Sequence, residues 1–166
     1  MAKIPSIESL FAAYPTGSVE EVAVVVGGDV AKNLRNLNYP AYKDTCAIRV
    51  SRALNYGGDP IPFARNIDVP QTGGKVRYDM GGDKMRYIYS TYDIRAYLNV
   101  RYGRARKFPG TATESDVAGV IGIIAFGFYH IDLWDGGKCA GHAYFGVGDV
   151  TKENVWVWET FSKAGK

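Results

Sequence analysis

Two cysteines and two histidines among 166 residues are too few for a zinc-finger or disulfide-scaffold protein. No apolar run approaches the roughly 18 residues that cross a bilayer. The longest, Val117 to Phe126, is broken by Gly119 and Gly122 and reads as a buried strand, so no membrane insertion is expected. The N-terminal stretch MAKIPSIESLFAAYP has one lysine and no sustained apolar core, which argues against a secretory signal peptide. Charge of one sign is not in large excess, with 20 basic against 17 acidic residues and a net charge of +3. The 46% apolar and 22% charged fractions exclude general disorder. No repeat, low-complexity tract or linker divides the chain, and its length suits one domain, residues 1–166.

The charge is uneven in place. Residues 45–110 carry 12 basic and 5 acidic side chains, and this basic middle ends in Arg101, Arg104, Arg106 and Lys107. Such a patch attracts nucleic acid or anionic substrates. No nucleic-acid motif accompanies it, so a solvated helix end followed by a loop is the expectation, with no nucleic-acid partner.

Helices come first. Ser6 caps a short helix that Pro15 stops at Tyr14, and Ser18 with Glu21 forms a capping box ahead of Val19, Val22 and Val25. Gly27-Gly28 interrupts that helix, and its apolar spacing resumes at Val30, Leu34 and Leu37. A third helix starts near Thr45, carries Cys46, Val50 and Leu54 on one stripe, and ends at Asn55-Tyr56-Gly57-Gly58. Residues 59–89 read as a long loop region with short extended pieces, and Thr91 and Asp93 open a fourth helix. From Val117 the pattern is that of strands. GVIGIIAF is apolar and β-branched. FYHIDLW alternates, with Phe128, His130, Asp132 and Trp134 on one face and Tyr129, Ile131 and Leu133 on the other. Asp135 to Lys138 is a hairpin turn, and CAGHAYFGV and VWVWE are expected as two further strands. Helices followed by an antiparallel sheet make an α+β domain.

Cys46 and His130 are the residues able to carry covalent chemistry. A thiol at a helix N-terminus is stabilised as thiolate by free backbone N–H groups and the helix dipole. The same helix end, the Cys46 N–H included, supplies donors for an oxyanion. A strand-borne histidine presented there serves as base for the thiol and then acid for the leaving amine. A third polar group must hold the imidazole tautomer. Taken singly, an inert core cysteine and a structural histidine are the commoner readings of these two residues.

Several segments in order resemble the type VI secretion amidase effector 4 family. They are Val25-Gly27-Gly28-Val30-Asn33; the run Thr45 to Asn55 with Ile61-Pro62 after it; Tyr89 to Leu98 with Gly103; and Gly119 to Gly136, which includes His130-Ile131-Asp132-Leu133-Trp134-Asp135-Gly136. The resemblance implies a papain-like, NlpC-type α+β fold with the N-terminal helices packed on an antiparallel sheet. It implies an antibacterial toxin that hydrolyses the γ-D-glutamyl–diaminopimelate bond of peptidoglycan stem peptides. It further implies Cys46 as nucleophile, His130 as general base, no cofactor, and a cognate immunity protein as inhibitor. A secretion apparatus would deliver the toxin to the periplasm of target bacteria, which suits a chain without a signal peptide.

Family members can place an acid about eleven positions beyond the histidine, where this chain has Cys139-Ala140-Gly141-His142-Ala143. Asp132, two residues from His130 on the same strand face, and His142, on the expected partner strand, are the two substitutes as orienter. Asp132 is favoured because a carboxylate stabilises an imidazolium better than a second imidazole does. A disulfide between Cys46 and Cys139 would consume the nucleophile and is not expected. Arg49 and Arg52 follow the nucleophile on its helix and could reach substrate carboxylates, without either being assigned. Two other classes fit the residues: a zinc-dependent hydrolase using His130, Asp132 and His142, and a non-catalytic binding module.

Overall fold

A computed structural model of the chain describes residues 1–36, 38 and 44–164. Among the described residues the α-helices are α1 (Ile7–Ala13), α2 (Val19–Val26), α3 (Gly28–Leu34), α4 (Cys46–Gly57), α5 (Thr91–Tyr102) and α6 (Glu114–Val117). The strands among them are β1 (Asp68–Val69), β2 (Gly74–Lys75), β3 (Tyr78–Met80), β4 (Arg86–Ile88), β5 (Arg106–Pro109), β6 (Gly122–Phe126), β7 (His130–Trp134) and β8 (Asn154–Glu159). Two hairpin ribbons, β1-β2 and β3-β4, occupy the region expected to hold short extended pieces. The main sheet is antiparallel in the order β5-β8-β6-β7, which leaves one side of β7 without a strand partner.

The local signals act as their chemistry demands. Ser6 Oγ accepts the Ser9 N–H at the start of α1, and Ser18 with Glu21 completes the capping box of α2. The break at Gly27-Gly28 has a tertiary cause. Gly28 has φ +60°, and a Cβ there would stand 2.5 Å from the Gly81 carbonyl carbon. The glycine pairs 27–28 and 81–82 cross backbone against backbone, fixed by the Gly82 N–H on the Val26 carbonyl at 2.9 Å. The helical resumption reaches Leu34; Leu37 lies outside the described residues.

Both faces of the sheet are covered. Ile123, Ala125, Ile131 and Leu133 pack on α1 and α4 through Leu10, Val50 and Leu54. Ile124, Phe126, Trp134, Val155 and Val157 pack on Val117 and Val150. On its outer side α4 uses Ile48 against Val22, Val26, Val30 and Tyr87. Buried Ser51 ties α4 to β4, its hydroxyl donating to the Ile88 carbonyl and accepting the Ile88 N–H.

Three expectations are corrected. Val117 closes a helix rather than opening a strand, and its carbonyl accepts the Trp134 indole N–H at 3.1 Å. Thr91 and Asp93 do open α5, and Asp93 in its first turn is fully buried and paired with Arg77 at 2.9 Å. The loop expected after the helix end spans only residues 103–105. Arg106–Pro109 is edge strand β5, Arg106 faces Glu159, and Arg101 is held by Asp59. CAGHAYFGV forms no strand beyond a single bridge of Cys139 to Trp134, because the N–H groups of Gly141 and His142 turn to a side chain instead.

Candidate active site

The site forms around the free edge of β7. Along that edge the backbone groups of Ile131 and Leu133 point away from β6, towards α4 and the segment after the turn. The Leu133 N–H donates to Asp132 Oδ1 at 2.7 Å, and the Leu133 carbonyl accepts the Ala140 N–H at 3.1 Å. The Ile131 N–H reaches the sulfur of Cys46, the first residue of α4. The edge strand thus docks the helix end that carries the thiol.

Asp132 is fully buried and heavily solvated by the protein. Besides Leu133, the N–H groups of Gly141 and His142 donate to it at 3.1 and 2.9 Å, and the Tyr14 hydroxyl donates as well. A carboxylate surrounded by donors is an acceptor, so the 3.1 Å contact to His130 Nε2 is an Nε2–H donated to Oδ2. Nδ1 of His130 is buried and has no hydrogen-bond partner among the described residues. A ring nitrogen of His130, the Cys46 sulfur and an Asp44 carboxylate oxygen all lie within 4.8 Å of one another. The imidazole sits between aromatic rings, Tyr144 at 4.3 Å and Phe126 at 6.1 Å between centroids.

The thiol is not activated in the manner expected. Burial pushes the Cys46 thiol up, and the charge of Asp44 pushes it further. The N–H groups of Ile131 and Ala47 pull the other way and do not offset this. The Cys46 N–H, expected as a free oxyanion donor, is taken by Asp44 Oδ1 at 3.0 Å in an Asx turn. Both cysteines are free thiols.

Above these groups opens a cleft of about 300 Å³ bordered by Tyr14, Thr16, Asp44, Cys46, Arg49 and His142. The Arg49 guanidinium is spent on structure, donating to Thr45 Oγ1 and to the carbonyls of Pro15 and Gly17. Arg52 stacks on Tyr56 at 4.2 Å. His142 is exposed and meets Asp132 through its backbone N–H, so His130, Asp132 and His142 do not present a shared ligand set. Sequence reasoning missed Asp44, Tyr14, Gly141 and Tyr144. An acidic residue immediately ahead of a helix start was a legible signal for Asp44; the other three come from distant parts of the chain.

A cysteine-bearing helix packed on the edge of an antiparallel sheet is the papain-like α+β class of fold. Within it, the chain belongs to the type VI secretion system amidase effector protein 4 family, Tae4, whose model matches residues 42–158. It is similar to the type VI effector Tae4 from Enterobacter cloacae, at 27% identity over 96% of this chain and 99% of that one, with a TM-score of 0.77. It is similar also to the Salmonella typhimurium effector Tae4 in complex with the immunity protein Tai4 from Enterobacter cloacae, at 27% identity over 94% and 99%, TM-score 0.75. The Enterobacter cloacae Tae4–Tai4 complex matches at 26% identity over 94% and 98%, TM-score 0.75. Among curated proteins none matches the chain. The family makes this chain an antibacterial peptidoglycan amidase of the type VI secretion system.

Proposed function

We propose that the chain is a cysteine-type amidase, one domain over residues 1–166, that cuts the γ-D-glutamyl–diaminopimelate bond of stem peptides in the periplasm of target cells. The observation that carries the reading is a His130 ring nitrogen within 4.8 Å of the Cys46 sulfur, with Nδ1 buried and unpartnered among the described residues while Nε2 is held on Asp132. His130 Nδ1 takes the proton of Cys46 as the sulfur attacks the amide carbon. A neutral resting thiol is the right starting state for this, because burial makes thiolate costly until the imidazolium forms beside it. Asp132, already supplied with donors, stabilises that imidazolium and keeps the ring from rotating. As the tetrahedral oxyanion develops, the Cys46 N–H exchanges Asp44 Oδ1 for it. The C–N bond then breaks, the proton on Nδ1 passes to the diaminopimelate nitrogen, and a γ-glutamyl thioester remains on Cys46. Water, deprotonated by the same nitrogen, hydrolyses the thioester.

Relatives crystallised with Tai4 support a cognate immunity protein as the inhibitor of this chain too. Compartment-specific killing tests the reading. Expression in the cytosol of a diaminopimelate-containing bacterium is tolerated, and fusion to a secretory signal makes it lytic. Cys46→Ala abolishes the lysis. Equal toxicity from both compartments, or lysis that survives Cys46→Ala, contradicts it.

A further inference from the structure

The cluster that performs the proposed chemistry also has the donor set of a metal site. We propose that Asp44, Cys46 and His130 bind a divalent, borderline-soft cation of the Zn²⁺ class, which caps the nucleophile. The proposal rests on the amidase reading only for that last consequence; the binding itself follows from the ligands.

Sulfur, imidazole nitrogen and carboxylate oxygen are the three donor types that zinc prefers, and three protein ligands with an open fourth position are a frequent arrangement. Here one atom of each type lies within 4.8 Å of the other two. Tetrahedral zinc with bonds of about 2.0–2.3 Å needs ligand atoms roughly 3.3–3.7 Å apart, so the cluster must contract by about 1 Å. Asp44 is exposed and precedes α4, and with only its Oδ1 held by the Cys46 N–H it is the member with most room to shift.

The independent observation is on His130. Its ring is 7% exposed, and Nδ1 has no hydrogen-bond partner while Nε2–H is donated to Asp132. A ligating histidine whose other nitrogen is held by a carboxylate is the usual support of a zinc-binding imidazole. The ring is therefore fixed in the tautomer that offers Nδ1 to a cation. The Cys46 N–H on Asp44 Oδ1 keeps that carboxylate beside the sulfur. Binding replaces the thiol proton, which leaves to solvent, with a sulfur–metal bond; water from the cleft fills the fourth position. Thiolate and carboxylate together balance the dication. The neighbouring Arg49 guanidinium is already shared among Thr45, Pro15 and Gly17. Mg²⁺ and Ca²⁺ demand six or more oxygen ligands and do not suit this set.

Equilibrium dialysis of the reduced full chain against Zn²⁺ tests the binding without substrate, so it stands or falls separately from the amidase reading. One Zn²⁺ per chain is expected, undiminished by excess Mg²⁺. Co²⁺ in its place gives a near-ultraviolet thiolate-to-metal absorption with visible bands of four-coordinate intensity. Asp44→Asn keeps an acceptor for the Cys46 N–H but loses the anionic ligand, and lowers zinc affinity at least about tenfold, which is 1.4 kcal/mol. Cys46→Ser removes the near-ultraviolet band and Cys139→Ser leaves it. Absence of stoichiometric binding overturns the proposal. So does unchanged affinity in Asp44→Asn, or a band that follows Cys139 instead of Cys46.

Discussion

Asp132 holds His130 by an Nε2–H···Oδ2 hydrogen bond of 3.1 Å between neighbours on one face of β7. The carboxylate is already supplied by the N–H groups of Leu133, Gly141 and His142, so its oxygens are hydrogen-bonded within the protein. An acid later in the chain is not needed to orient the imidazole, and the segment that might have carried one instead gives its backbone to Asp132.

Asp132→Asn should lower turnover by about 10²–10⁴-fold, because the amide can present its NH₂ to Nε2 and select the wrong tautomer. His142→Ala should cost less than about tenfold, since only the backbone of that residue reaches Asp132. Steady-state rates on stem-peptide fragments check both. The reverse ranking contradicts the assignment of the orienter.

Gly141 tests the backbone cradle. A Cβ there would stand 2.8 Å from Asp132 Oδ2 and 2.9 Å from the Tyr14 hydroxyl, so Gly141→Ala must push the loop away from the carboxylate. Activity should fall by tenfold or more, on the order of 1.4 kcal/mol in the barrier. Gly119→Ala, in open space, is the matched control and should leave the rate unchanged.

Removing the Asp44 charge should make the thiol more acidic, because after burial that carboxylate is the largest influence holding it up. Asp44→Asn should raise the iodoacetamide alkylation rate of Cys46 at pH 7 severalfold and move the alkylation profile to lower pH. An unmoved profile contradicts the electrostatic role given to Asp44.

Stability should fall on the alkaline side. Burial raises the Cys46 and Cys139 thiols and the Tyr14, Tyr87 and Tyr102 phenols above their ordinary values, and pushes Tyr97 up to about 12. These groups are neutral when protonated, so the unfolded chain loses its protons first, near pH 8.5 for thiols and near pH 10 for tyrosines. Their full contribution is present at neutral pH and is lost as pH rises past about 8.5. Thermal midpoints recorded from about pH 7.5 to 10.5 should decline throughout the upper part of that range. A flat profile contradicts the burial of these groups.

The parts of the fold that were legible are those with local causes. Ser6 and Ser18 announce α1 and α2, Gly57-Gly58 ends α4, and the apolar runs at Gly122–Phe126 and His130–Trp134 give the paired strands β6 and β7. The placement of Cys46 at a helix start and of Asp132 two residues from His130 on one face came from the same spacing. What failed was decided at long range. The alternation in CAGHAYFGV mimics a strand, yet its N–H groups find a better acceptor in a buried carboxylate than in a sheet edge. The strand character of Arg106–Pro109 depends on β8, almost fifty residues later. The thiol was expected to be acidic from the helix dipole alone, and only tertiary structure shows the desolvation and the neighbouring Asp44 that outweigh it.

The central claim is a Cys46 nucleophile acting on one amide bond, and mass spectrometry of purified peptidoglycan fragments after incubation with the wild type and with Cys46→Ala tests it most directly. The wild type should yield new fragments ending in D-glutamate with matching fragments that begin at diaminopimelate, and Cys46→Ala should slow their appearance by at least about 10³-fold while remaining folded. Cleavage at another junction, or the same fragments at near wild-type rate from Cys46→Ala, would contradict the account.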